Sequence, residues 1–222
     1  MLADATWSGT RAEAVPSAAA PMRPAKTMKT NQALLALLAC LPFAACSSPP
    51  PAAEWASVQR ELAQRVAEDQ RLRRELHVEG LTDMRVIEQL SAVDAANTAW
   101  LKGLVHRSGW PTTAHVGEQG ARDAWLLVQH ADRDVDFQER CVGLLREAVA
   151  RGQGSPKHLA YLEDRVALHR ERPQRYGTQF VPTSIGMAPY RLEDPARVDA
   201  WRAEIGLEPL AEYAARLRGE KP

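Results

Sequence analysis

Apolar residues recur at helical spacing once the chain passes Trp55. Trp55, Val58, Leu62, Val66, Leu72 and Leu76 keep to one stripe with charged residues between them, which predicts an amphipathic helix over 54–77. Gly80 stops it. Asp83, a residue type suited to capping, opens a second helix to Val105 that carries Val86, Ile87, Leu90, Val93, Ala96, Trp100, Leu101 and Leu104. "SGWPT" (108–112) then reads as a loop, because glycine ends a helix and proline cannot continue one. The third helix, 118–131, contains "AWLLVQHAD". Its four consecutive apolar residues, Trp125 to Val128, cover the whole circumference, so it is expected to lie at the centre with other helices around it.

A fourth helix, 134–151, is amphipathic and ends before Gly152 and Gly154. Ser155 followed by Pro156 is a strong start signal for a fifth, running to about Arg170. "RPQRYGTQFVPTSIGMAPYRL" is the stretch with strand character and predicts a short β-hairpin near residues 176–192. Asp194 and Pro195 open a sixth helix, and "GLEPLAEYAARLRG" supplies a seventh. The expected fold is mainly α: a compact multi-helix domain, residues 55–218, around a central apolar helix, with one hairpin.

The N-terminus follows a different pattern. Residues 28–46 read MKTNQALLALLACLPFAAC: a lysine, an apolar run, then small residues before a cysteine. That run is too short to span a bilayer but suits a secretory leader. "FAAC" resembles the lipobox of bacterial lipoproteins, in which the cysteine carries acyl chains such as palmitate and becomes the new N-terminus. "LLAC" also fits, but cleavage before Cys40 leaves an apolar region of about seven residues, the bottom of the usual range. Cys46 is therefore the expected lipidation site, with 28–45 as signal peptide and 46–54, "CSSPPPAAE", as a proline-rich tether. Residues 1–27 carry two acids ahead of a better basic start at Met22 or Met28 and read as a mis-called extension. The implied location is the cell envelope, on the periplasmic side of a membrane, with the membrane as partner through the lipid anchor.

Composition removes several alternatives. Lys plus Arg equals Asp plus Glu at 28 each, with no arginine-rich block, so nothing in the charge draws the chain to nucleic acid. Of the three cysteines, one leaves with the leader and one takes lipid, so Cys141 stands alone and no disulfide forms within the domain. It lies on an apolar stripe with Phe137, Leu144, Leu145 and Ala148 and reads as a buried structural thiol. The six histidines show neither HExxH nor an i, i+4 pair, and no phosphate-binding or dinucleotide glycine loop occurs. No metal and no cofactor is expected, and the domain is expected to be a monomer.

The remaining chemistry gathers in two places. His130, at the end of the central helix, follows Leu126 by four and so projects on an apolar face. It is either a core histidine with paired ring nitrogens or an acid–base group. Gln129 and Asp132 flank it, Asp132 also being a natural cap for the next helix. "RPQRYGTQF" (172–180) packs Gln174, Tyr176, Thr178 and Gln179 around Gly177. Taken as an extended strand, it points Gln174, Tyr176 and Thr178 one way and Gln179 the other. Asp164 lies on a partly apolar side of the fifth helix. If it pairs with His130, the two make a base-and-orienter couple, with Gln129, Gln174, Tyr176, Thr178 and Gln179 as ligand-binding walls. If it pairs elsewhere, the polar segment ties off helix ends. Two functions follow: a lipid-anchored envelope protein whose polar cluster binds a small molecule or envelope component, or a small hydrolase-like enzyme using His130 and Asp164.

With "GWPT", "AWLLVQHAD", "AYLEDRV", "RPQRYGTQF" and "LEPLAEY" in this order, the chain resembles an uncharacterised bacterial domain family marked by WLLVQHAD, AYLxDRV and RPQxYGTQ blocks. The resemblance spans roughly 55–217 and implies a single domain unit without implying an activity.

Overall fold

Proline cannot sit inside a helix, and helix α1, Ala52–Val78, begins directly after the proline run. The last three residues of the expected tether are thus already helical. The computed structural model of the protein describes residues 52–78, 82–184 and 186–219. The expected leader, Cys46, residues 47–51 and Gly80 lie outside them. Six more helices follow among the described residues: α2 Met84–Ser108, α3 Thr113–Gln129, α4 Val135–Ala150, α5 Pro156–His169, α6 Val198–Glu204 and α7 Leu210–Leu217. Strands β1, Phe180–Thr183, and β2, Gly186–Pro189, form an antiparallel hairpin in which Phe180 faces Pro189. The expected mainly α fold is the observed one.

The caps explain the boundaries. The Asp83 carboxylate accepts from the Arg85 amide, and Ser155 Oγ accepts from the His158 amide with Pro156 at the first helical position. Asp134, rather than Asp132, caps α4 by accepting from the Phe137 amide at 3.0 Å. Asp194 accepts from the Ala196 amide, which builds a turn, so α6 starts only at Val198. Gly117 interrupts α3 with φ 69° and ψ 175°, values that favour glycine. The uninterrupted part of α3 therefore starts at residue 118, where the sequence places it.

Helix α3 touches α1, α2, α4 and α5, and α1 packs along both α2 and α3 while α4 packs on α5. Leu62, Leu101, Leu127 and Leu162 are wholly or almost wholly buried in one core with Ala124, Val128, Cys141 and Ala148. Each such leucine contributes roughly 1.5–3 kcal/mol through burial. Trp125 and Leu126, the other half of the apolar quartet, are only half-buried. His158 covers the Trp125 indole by stacking at 4.2 Å. A smaller cluster of Leu72, Val86 and Leu90 joins the far ends of α1 and α2. Among the described residues no helix is long and apolar enough to cross a membrane.

Candidate functional site

The sequence places an acid on the buried stripe of α1: Asp69 falls between Val66 and Leu72 and is completely buried. A buried carboxylate needs partners, and Asp69 has three. His130 Nδ1 lies 2.9 Å from Oδ1, Arg73 Nε donates to the same oxygen at 3.1 Å, and Gln70 Nε2 donates to Oδ2 at 2.8 Å. Arg73 reaches on to Asp94 of α2 through Nη2 at 2.7 Å. One arginine thus ties α1 to α2 between two carboxylates. Burial pushes the Asp69 carboxyl up, but the His130 hydrogen bond and charge, the Gln70 bond and the Arg73 charge together hold it below the usual range. Asp94 goes the other way: burial raises it, and the pull of Arg73 and His130 does not cancel that.

His130 occupies the C-cap of α3, where its amide closes the last turn. Arg73 Nε also directs its hydrogen at Nδ1, 3.1 Å away, the bond Nδ1 accepts in the other tautomer, in which its lone pair faces the Asp69 carboxylate. Both nitrogens share Asp69 Oδ1, so the arrangement is satisfied when both donate to that oxygen. Nδ1 then carries the proton and Nε2 holds a free lone pair. Nε2 has no hydrogen-bond partner among the described residues and is not among the buried unpaired atoms. The imidazole lines an open groove of about 470 Å³ between the outer face of α2 and the turn 130–134. Ile87, Leu90, Ala95 and Ala99 form its apolar wall, and Asp94 and His130 lie at its polar side.

Asp69, Asp94 and His130 each offer one ligand atom, all within 4.8 Å of one another. The Arg73 guanidinium already supplies positive charge to both carboxylates, so a divalent ion there would have to displace it.

His130 and Asp164 do not pair. Asp164, almost fully buried on α5, is engaged by the 174–179 segment. Oδ1 accepts from the Arg175 amide at 2.9 Å and the Tyr176 amide at 3.1 Å; Oδ2 accepts from the Thr178 amide at 2.9 Å and Thr178 Oγ1 at 3.0 Å. Burial pushes this carboxyl up against the pull of those donors. Successive amides can converge on one carboxylate only if the backbone curls around it, so the segment is a loop and not the expected extended strand. Gly177 has φ 65°, and a Cβ there would come within 2.8 Å of Leu210 Cδ1. Alternation consequently fails: Gln174, Thr178 and Gln179 are all buried.

Their polar atoms are taken up by the protein. Gln174 Nε2 donates to the carbonyls of Gln179 at 2.8 Å and Tyr190 at 2.9 Å, and its Oε1 accepts from the Gln179 amide at 2.9 Å. Arg202, also buried, donates to the Tyr176 carbonyl at 2.6 Å, and Tyr213 Oη donates to the Thr178 carbonyl at 3.3 Å. Tyr176 is half-buried. The segment does reach the end of α3, by a different route. Arg165 Nη1 donates to Gln179 Oε1 at 3.2 Å, and the same guanidinium grips both oxygens of Asp132. Gln138 closes the end of α3 by donating to the carbonyl of Val128 at 3.0 Å. The Gln129 side chain gains no such partner; its Nε2 is buried and unpaired.

A helical domain that sets a histidine, held by a buried aspartate, beside an open groove is the class that fold and geometry define. The chain belongs to a family of unknown function (DUF6624), whose model matches residues 56–220. No curated protein and no solved structure matches it.

Proposed function

We propose that this is a lipid-anchored protein of the bacterial cell envelope whose domain binds a small ligand in the α2 groove, with His130 as the group that exchanges a proton with it. One observation carries the site: buried Asp69 holds Nδ1 of His130 while Nε2 is left without a protein partner beside a groove of about 470 Å³. That volume falls within the range of small-molecule pockets. The lipid anchor rests on the leader and lipobox pattern ending at Cys46. The test has two arms. Cys46→Ala abolishes labelling by a palmitate analogue, whereas Cys40→Ala leaves it; the opposite result moves the anchor to Cys40. His130→Ala abolishes binding in a screen of envelope glycans, peptides and phosphoesters with little change in melting, and retained binding removes His130 from the site.

The same geometry favours a second reading, a hydrolase-like enzyme in which Asp69 takes the orienting part first expected of Asp164. Nε2 would accept a proton from water as its oxygen bonds to the carbon or phosphorus of the scissile bond, and would return that proton to the leaving group as the bond breaks, with Asp69 stabilising the imidazolium in between. Turnover of a peptide, glycan or phosphoester that disappears in Asp69→Asn separates this reading from binding alone.

A further inference from the structure

The charges around the groove are unevenly used. Three carboxylates line it, and each has its own cation: Asp94 is paired with Arg73 at 2.7 Å, Asp134 with Lys102 at 2.6 Å, and Asp132 with Arg165. Lys102 is thereby used as well. Arg133 also lines the groove, on the turn opposite α2, and its guanidinium has no hydrogen bond, ion pair or aromatic contact among the described residues. A free guanidinium is a planar fork of donors that fits a carboxylate or phosphate. The α2 wall of the groove carries Ile87, Leu90, Ala95 and Ala99, with the Ser91 and Thr98 hydroxyls between them, a mainly apolar surface for a chain lying against it.

We infer that the groove takes a small amphipathic anion, an aliphatic or acyl chain ending in a carboxylate, with the chain on the α2 wall and the head group on Arg133 near His130. This rests on the groove reading proposed above and names its ligand class. A carboxylate fits better than a phosphate because the three carboxylates nearby already hold the other cations: a monoanion meets one unspent cation, whereas a dianion brings a second charge with no free cation to meet it. The apolar wall supplies area-dependent affinity that does not discriminate among head groups, so discrimination falls to Arg133.

The experiment measures binding of octanoate, octanol, octylammonium and octyl phosphate to the full chain by calorimetry, in wild type, Arg133→Ala and Ala95→Trp. Arg133 and Ala95 are both exposed, so neither substitution disturbs the core. Octanoate is expected to bind at least about tenfold more tightly than octanol, the worth of one charge-assisted pair. Arg133→Ala removes that advantage and leaves octanol unchanged, while Ala95→Trp, which fills the groove, weakens both. Equal binding of octanoate and octanol, or tightest binding of octylammonium, overturns the anionic ligand with the groove intact. Octyl phosphate above octanoate overturns the choice of carboxylate. If none of the probes binds, or Ala95→Trp leaves their binding unchanged, the groove reading itself falls.

Discussion

Asp164 and Asp69 are both buried carboxylates on helices, and they end up in opposite situations. Asp164 collects three backbone amides and a hydroxyl from one loop, and the side chains of that loop bind back to the protein. Asp69 collects Gln70, Arg73 and one nitrogen of a histidine whose other nitrogen has no partner. Both oxygens of Asp164 are taken by protein donors, although Arg202 Nη2 stays buried and unpaired and Asp164 and Arg175 line a groove of about 430 Å³; the second network is open at His130 Nε2, beside its own groove. Density of polar residues is therefore a poor guide to function here. A saturated cluster stabilises a loop that has no ladder of its own, while a site is recognised by the polar group that protein partners leave unsatisfied.

If the Asp164 network is architecture, breaking it has the largest effect. Asp164→Ala orphans several buried donors at roughly 1–3 kcal/mol each, so a loss of about 3–4 kcal/mol is expected in urea unfolding. A loss below about 1 kcal/mol would mean that the loop is held by something else. Next comes an effect of pH away from both clusters. Burial behind Trp125, helped by the Arg122 charge, pushes His158 down to about 4. An unfolded histidine titrates near ~6.5, so between these values the unfolded chain binds more protons than the folded one. The stability from His158 is complete above the unfolded value and is lost as pH falls through the folded one. Urea midpoints should decline across that window, and His158→Gln should flatten the decline; an unchanged slope contradicts the assignment.

The open network predicts a smaller change. His130→Gln should alter stability by less than about 1 kcal/mol, because the ring is partly exposed and the Asp69 carboxylate keeps Arg73 and Gln70. A cost as large as that of Asp164→Ala would place His130 with the architecture. Smallest of all, Cys141, whose thiol burial raises to about 12, should stay unmodified by iodoacetamide in the native protein and react only in urea. Native modification detected by peptide mass spectrometry would show that the core around it opens.

The helices were legible because their stripes and caps are local: Asp83, Ser155 with Pro156, and the apolar runs place five of them to within a few residues, apart from the extra turn that α3 carries ahead of Gly117. The site was half legible. His130 stands out in "QHAD", but its partner comes from α1, far away in sequence, and the density of polar residues outside the helices favoured the 174–179 segment instead. A signal for Asp69 was present all the same. Read every three to four residues, Leu62, Val66, Asp69, Leu72 and Leu76 form one buried stripe with an acid in the middle, and an acid there demands a partner from another helix. The curl around Asp164 was not legible, because alternation assumes an extended backbone and three amides aimed at one carboxylate break it. The blocks that carry the family resemblance do meet, through Arg165 bridging Asp132 and Gln179.

The central claim is that His130 presents a free basic Nε2 to the groove because Asp69 fixes the proton on Nδ1. Long-range nitrogen–proton NMR correlation of the His130 ring reads the tautomer directly. In the neutral ring, wild type should show the proton on Nδ1, and Asp69→Asn should lose that preference. A proton on Nε2 in the wild type, with Nδ1 accepting from Arg73, would contradict the claim.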